Sequence, residues 1–174
     1  MDKIIVCDNF LTEDELTTAK NIIFYKEWKF GHQTTHEKLY STPFWSMELE
    51  CEEFFSKYIF DIIEKQFSKK FKLLRVYANG QTYGQNGSFH IDSDLPDTYT
   101  FCLYLSEIKP EYVETAGGNL WFKLPDKNYN ICYEPIYNRG IFFPSTYVHK
   151  GCAFNRYVMN LRICVAWKLQ EIIE

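Results

Sequence analysis

Hydrophobic positions along the 174-residue chain change their spacing near residue 70, and the change separates two kinds of predicted element. Before that point the spacing is mostly helical. Lys3 to Cys7 is a short apolar run suited to a strand, and Asp8-Asn9-Phe10-Leu11 leads out of it. Thr12-Glu13-Asp14-Glu15 then has the form of a capping box, in which the Thr12 hydroxyl accepts from a backbone N–H and Glu15 reaches back to the cap. The helix it starts runs to about Tyr25, with Leu16, Ala19, Ile22 and Ile23 on one face. Trp28-Lys29-Phe30-Gly31-His32 breaks the pattern. A second helix is predicted from about Glu50 to Phe67, where Phe54, Tyr58, Ile59 and Ile62 form an apolar stripe. Both helices are expected to pack against a core. His32 and His36, in the polar stretch between them, fit loop or substrate-side positions better than metal ligation.

From Lys72 onward short β-type runs alternate with turn residues. Leu73 to Tyr77 predicts a strand, and Ala78-Asn79-Gly80-Gln81 has turn chemistry. Asn79 to Ser88, rich in Gly, Asn and Gln, then reads as a mobile loop over a neighbouring site. Thr98 to Leu105 is a nearly continuous buried run, and Gly117-Gly118-Asn119 opens a strand at Leu120-Trp121-Phe122. Tyr133 to Tyr137 is a weaker strand, interrupted by Pro135. Asn138-Arg139-Gly140 turns into Ile141-Phe142-Phe143, and Arg162 to Trp167 forms the last strand. Short strands so spaced predict an antiparallel sandwich or barrel. With no repeat or linker, one domain is expected over 1–174, its helical support in about 1–70 and its β core in about 71–168.

Composition narrows the function. Hydrophobic residues make up 46% and aromatics 18%, which suits a sizeable β-rich core. The net charge of −4 supplies no global basic field for a phosphate backbone, which argues against nucleic acid as partner. Six cysteines are scattered without a Cys-x-x-Cys pair, the first residues lack the apolar stretch of a secretory signal, and no run reaches membrane-spanning length. A cytoplasmic protein with reduced thiols and no membrane partner is the expectation.

The candidate chemistry lies in two short stretches, Ser88-Phe89-His90-Ile91-Asp92-Ser93 and Pro144-Ser145-Thr146-Tyr147-Val148-His149. On a strand, residues i and i+2 share a face, so His90 and Asp92 would aim an imidazole and a carboxylate into one space. His149 would complete a 2-His-1-carboxylate triad, which binds Fe(II) and keeps a face open for co-substrate and O2. A His-x-Asp pair alone carries little weight; followed by a distant His and a strand-borne Arg it carries much more. Asp94 and Asp97 are rival carboxylates, and a loop after Ser93 would turn Asp94 outward. Arg162 heads a β-rich run and could offer its guanidinium fork to an anionic co-substrate. Arg156 is the alternative, in a stretch that reads as a loop. Gly117 and Gly118 permit positive φ. Tyr83 and Trp121 are core or channel aromatics.

Taken together, Tyr77-Ala78-Asn79-Gly80-Gln81-Thr82-Tyr83, His90-Ile91-Asp92, Gly117 to Phe122, Gly140 to Ser145 with His149, and Arg162 to Trp167 resemble the Fe(II)/2-oxoglutarate-dependent dioxygenases, within them the prolyl 4-hydroxylase-like group. The resemblance covers roughly residues 70–168. It implies a double-stranded β-helix, or jelly roll, with N-terminal helices packed on one sheet. It further implies iron held by His90, Asp92 and His149, 2-oxoglutarate with its far carboxylate on Arg162, and Tyr77 as a co-substrate contact. The activity implied is hydroxylation of a C–H bond using O2, with release of succinate and CO2 and with ascorbate as a possible reductant. A peptidyl proline or other protein side chain is the implied substrate, with a nucleobase, a small molecule, or a non-catalytic metal-binding module as alternatives.

Overall fold

The computed structural model describes residues 4–34, 42–124 and 126–173. His36 therefore lies outside the described residues. Among the described residues, ten strands form two antiparallel sheets: β1 (Ile5–Cys7), β2 (Lys29–His32), β3 (Phe44–Glu48), β4 (Phe71–Gln81), β5 (Thr98–Tyr104), β6 (Leu120–Lys123), β7 (Asn130–Tyr133), β8 (Gly140–Pro144), β9 (Val148–Gly151) and β10 (Arg162–Glu171). The major sheet has the order β1-β8-β5-β10-β4-β3-β2, and the minor sheet β7-β6-β9. The architecture is the expected jelly roll with supporting helices.

Side-chain alternation on the major sheet separates two cores. Val165, Trp167 and Leu169 of β10, Val76 and Ala78 of β4 and Phe101 and Leu103 of β5 face the helices α1 (Glu13–Tyr25) and α2 (Phe60–Phe67). The capping box at Thr12 and Glu15 is present, and Leu16, Ala19 and Ile23 are buried as the helical spacing predicts. α2 is entered through a π-helical turn, Phe54–Ile59. The Trp167 indole N–H donates to the Phe55 carbonyl at 2.9 Å and ties that turn to the sheet. The opposite face of the sheet carries Tyr77, Cys102, Tyr104, Ile141, Phe143, Cys164 and Ala166, which pack against Leu120 and Phe122 of the minor sheet.

Four expectations need correction. The first seventy residues supply three strands as well as helices, and β2 and β3 extend the major sheet beyond β4. Ala78-Asn79-Gly80-Gln81 is the end of β4 rather than a turn. Gly80 is there because Trp28 lies against it: a Cβ would stand 2.8 Å from the Trp28 ring. The Asn79–Ser88 loop thus shrinks to the residues after Gln81, and those are pinned: Asn86 accepts from the Ala153 N–H, Gly87 N–H donates to Gly151 O and Ser88 N–H to Thr34 Oγ1. Finally, the strand expected at Tyr133–Tyr137 is β7, displaced upstream to Asn130–Tyr133, because the segment around Pro135 cannot complete a ladder.

Beyond β1, which pairs with β8, the lead into α1 is fastened by a buried side chain. Asn138, in the left-handed region with φ 61°, is buried, accepts from the Leu11 N–H at 2.9 Å and donates to the Leu11 carbonyl at 2.8 Å. Replacing Asn138 with Ala leaves both groups unpaired and places a Cβ-bearing residue without a local partner in a strained conformation. The expected cost is about 3 kcal/mol, visible as a fall of roughly 10 °C in thermal unfolding.

Candidate metal centre

His90 and Asp92 do not alternate on a strand as expected. Only His90 is paired, across an isolated bridge to His149. The two residues exchange backbone hydrogen bonds, His90 N–H to His149 O at 3.0 Å and His149 N–H to His90 O at 2.9 Å. Two residues on, the Asp92 and Ser93 N–H groups both donate to the Ser145 carbonyl, which curls the chain under His149. The imidazoles then lie with ring centroids 4.4 Å apart. Donor atoms of His90, Asp92 and His149 all fall within 4.8 Å of one another. Asp94 is exposed. Asp97 accepts from the Gln170 side chain at 3.0 Å, away from the cluster.

The hydrogen bonds fix what each imidazole presents. His90 Nδ1 lies 2.9 Å from the Ser88 carbonyl and His149 Nδ1 2.8 Å from the Tyr147 carbonyl. A carbonyl only accepts, so in the neutral ring Nδ1 carries the proton and Nε2 presents a lone pair. Burial against Phe122 and Phe143 pushes the His149 pKa down to about 4, so at pH 7 that ring is neutral. Its Nε2 nevertheless sits 3.4 Å from Asp92 Oδ2, and His90 Nε2 3.3 Å from Oδ1. A lone pair and a carboxylate at that separation repel unless a cation lies between them. The donor set and its orientation fit a divalent metal.

Lys168, which the sequence reading missed, completes the carboxylate's surroundings. Its ammonium pairs with Asp92 Oδ2, and the Thr100 hydroxyl donates to the same oxygen at 2.6 Å. Burial by itself would raise the Asp92 pKa, but the Lys168 ammonium holds it well below the usual carboxylate range. Oδ2 is engaged by two donors and Oδ1 is left for a metal.

The cluster opens into a cavity of about 560 Å³, lined at one end by Gln81, Tyr104, Gly151 and Arg162 and at the other by His32, Arg75, Tyr77 and Lys168. Arg162 is buried, donating from Nε to the Gly118 carbonyl and from Nη1 to Gln81 Oε1, both at 2.7 Å. No carboxylate partners it among the described residues. Gly118 has the positive φ expected of it (79°), and a Cβ there would strike the Phe154 ring at 2.6 Å. The tyrosine beside Arg162 is Tyr104, its ring centroid 5.1 Å from the guanidinium. Tyr77 lies further along the cavity, opposite Ala166 and near Lys168. The Tyr104 hydroxyl and Asn79 Oδ1 are buried without hydrogen-bond partners among the described residues. Burial pushes the Tyr104 phenol well up, which keeps it a donor. A bound carboxylate would satisfy that hydroxyl and the guanidinium together. Arg156 is exposed, stacked on Tyr157, and does not line the cavity. Tyr83 is exposed, and His32 lines the mouth with its pKa lowered by burial.

No protein-family model and no curated protein matches the chain. Solved structures do match, as folds. A prolyl hydroxylase from Trichoplax adhaerens, in complex with a hypoxia-inducible-factor oxygen degradation domain peptide, superposes with a TM-score of 0.73 at 16% identity, covering 97% of this chain and 83% of that one. A prolyl-4-hydroxylase from Pseudomonas putida gives 0.67 at 15% identity, covering 99% and 95%. The α-ketoglutarate-dependent epimerase SnoN of nogalamycin biosynthesis gives 0.68 at 12% identity, covering 97% and 76%. The fold is that of the 2-oxoglutarate-dependent iron oxygenases.

Two outcomes test the centre. His90→Ala, Asp92→Ala and His149→Ala should each weaken Fe(II) binding about 100-fold or more in anaerobic titration, with far-UV circular dichroism unchanged. The pH dependence follows from His149. Its folded pKa, about 4, lies below the ordinary 6.5, so between those values the unfolded chain takes up a proton that the native state does not. Stability of the metal-free protein should therefore fall as pH drops from 6.5 toward 4, by about 3 kcal/mol from this residue. Urea unfolding of the parent and His149→Gln at pH 7 and pH 4.5 would show the difference shrinking in the variant.

Proposed function

We propose that the chain is an Fe(II)- and 2-oxoglutarate-dependent dioxygenase, acting as one catalytic domain, that hydroxylates a C–H bond of a protein or peptide, a prolyl residue being the leading candidate. The observation that carries this reading is the pair of lone-pair-presenting imidazoles turned on Asp92 inside a cavity that ends at an arginine without a carboxylate partner. In this reading His90, Asp92 and His149 hold the iron. Arg162 takes the far carboxylate of 2-oxoglutarate, with the Tyr104 hydroxyl donating to it.

Iron with O2 and 2-oxoglutarate would supply the oxidising power for C–H hydroxylation, with succinate and CO2 as co-products. The rest is orientation by the chain. Gly118 O and Gln81 Oε1 hold two edges of the guanidinium and point the third toward the cavity, where Gly151 leaves room: a Cβ there would stand 3.3 Å from Arg162 Nη2. Ser88 and Tyr147 carbonyls hold both imidazole tautomers. Phe122 and Phe143 exclude water on the His149 side. Tyr77 contributes to the wall between metal and mouth. Arg156, on the surface, has no part in this reading, and ascorbate enters it through the resemblance alone.

A small-molecule substrate is the second reading, favoured by the likeness to SnoN. Incubating the iron-loaded protein and 2-oxoglutarate with peptide and small-molecule libraries, and following succinate together with a mass gain of one oxygen atom, separates the two. Absence of succinate release under all conditions would overturn both. Arg162→Met should cost about 2–5 kcal/mol of co-substrate binding, seen as a raised KM for 2-oxoglutarate with iron affinity little changed. Arg156→Met should leave that KM within about twofold, as expected for an exposed side chain.

A further inference from the structure

The cavity carries cations at both ends. Arg75, Arg162 and Lys168 line it, and Asp92 is the one acid among its described lining residues, although the chain as a whole is acidic at −4. Arg162 belongs to the co-substrate end. Arg75 and Lys168 are direct cross-strand partners in the β4–β10 ladder, at the end where the cavity meets solvent. Like charges directly opposite on adjacent strands oppose sheet formation. Here they also flank one ring: the Arg75 guanidinium lies 4.2 Å and the Lys168 ammonium 5.8 Å from the Tyr77 centroid.

Each cation has one acid, and the two acids differ. Glu48, on the neighbouring strand β3, binds Nε and Nη2 of Arg75 from outside the cavity and leaves Nη1 uncommitted. Asp92 neutralises Lys168 but also belongs to the metal cluster. With a divalent metal drawing on that carboxylate, a surplus of positive charge is left at the Arg75–Lys168 end. That surplus matches an anion. In the oxygenase reading 2-oxoglutarate is committed to the metal and to Arg162, so the Arg75–Lys168 end is left for a different anion.

We infer that the Arg75–Lys168 pair is a second anion site, which holds a carboxylate of the substrate beside the C–H bond to be oxidised. The inference rests on the oxygenase reading above and deepens it: the substrate class is one that bears a carboxylate, from an acidic side chain in a peptide or from a free acid. Arg75 supplies the fork edge that Glu48 leaves uncommitted, and Lys168 supplies charge at the metal side. Tyr77 keeps the two cations apart.

Calorimetric titration of the zinc-loaded protein tests this without turnover. 2-Oxoglutarate is added to saturation first, then one of four probes: blocked proline–glutamate dipeptide, its proline–glutamine counterpart, N-acetylproline, or N-acetylprolinamide. In at least one arm the acid should bind about tenfold or more tightly than its amide, and the arm identifies the source of the carboxylate. Arg75→Gln should abolish the preference and Arg75→Lys should retain it; Lys168→Met, once metal analysis shows its zinc and 2-oxoglutarate bound as in the parent, should abolish it as well. Equal binding of acid and amide in both arms, no binding of either acid, or a preference that survives both charge-removing substitutions would overturn the inference. Failure of 2-oxoglutarate to bind in the first step would instead overturn the oxygenase reading on which it rests.

Discussion

The register of β10 is the constraint on which the site depends. This strand pairs with β4 over its whole length and with β5 over most of it. Its odd positions, Val165, Trp167 and Leu169, are buried under the helices, while Arg162, Cys164, Ala166 and Lys168 face the cavity. A slip of one residue would exchange the two sets, burying an arginine and a lysine beneath helices and turning a tryptophan toward the imidazoles. The apolar face that stabilises the sheet is therefore the same device that aims the cations. The Trp167 tie to Phe55 reinforces it from the helical side.

Asp92 shows how the fold divides the labour within a single carboxylate. One oxygen is committed to Thr100 and Lys168, both on strands of the major sheet, and the other is turned toward His90. The imidazoles come from a loop and from the minor sheet, so the cluster joins the two sheets at the point where they part. Removing either donor to Oδ2 would free the carboxylate to rotate, and a ligand that rotates is a weaker member of a chelating set.

Much of the candidate site was legible because its side chains sit in short, ordered pieces of sequence. His90, Asp92, His149 and Arg162 are separated by spacings that suit a β fold, and their residue types suit one kind of metal chemistry. Lys168 and Tyr104 are different: nothing in their immediate sequence marks them, since each is one polar residue in an apolar run. The parity of β10 did hold a signal, because Lys168 shares a face with Arg162. The β5 run held a weaker one, with Thr100 and Tyr104 alternating against Phe101 and Leu103. The strands β2 and β3 were missed because an edge strand such as β2 is largely exposed and has no apolar alternation to read. The Asn79-Gly80 pair misled in the opposite way: its turn-like chemistry reflects a polar side chain facing a cavity and a glycine lying against Trp28, neither of which is local information.

The place of β10 in the sheet also governs how the molecule comes together in time. The order β1-β8-β5-β10-β4-β3-β2 puts the last strand in the middle, between a β1-β8-β5 half and a β4-β3-β2 half that do not touch as strands. During synthesis, both halves must wait as separate ribbons with open edges until β10 arrives. Such sequence-distant closure is slow, and the waiting edges are open to mispairing. The same strand that seats the arginine and the lysine thus acts as the closing stave, and the cavity comes into being in the step that completes the sheet.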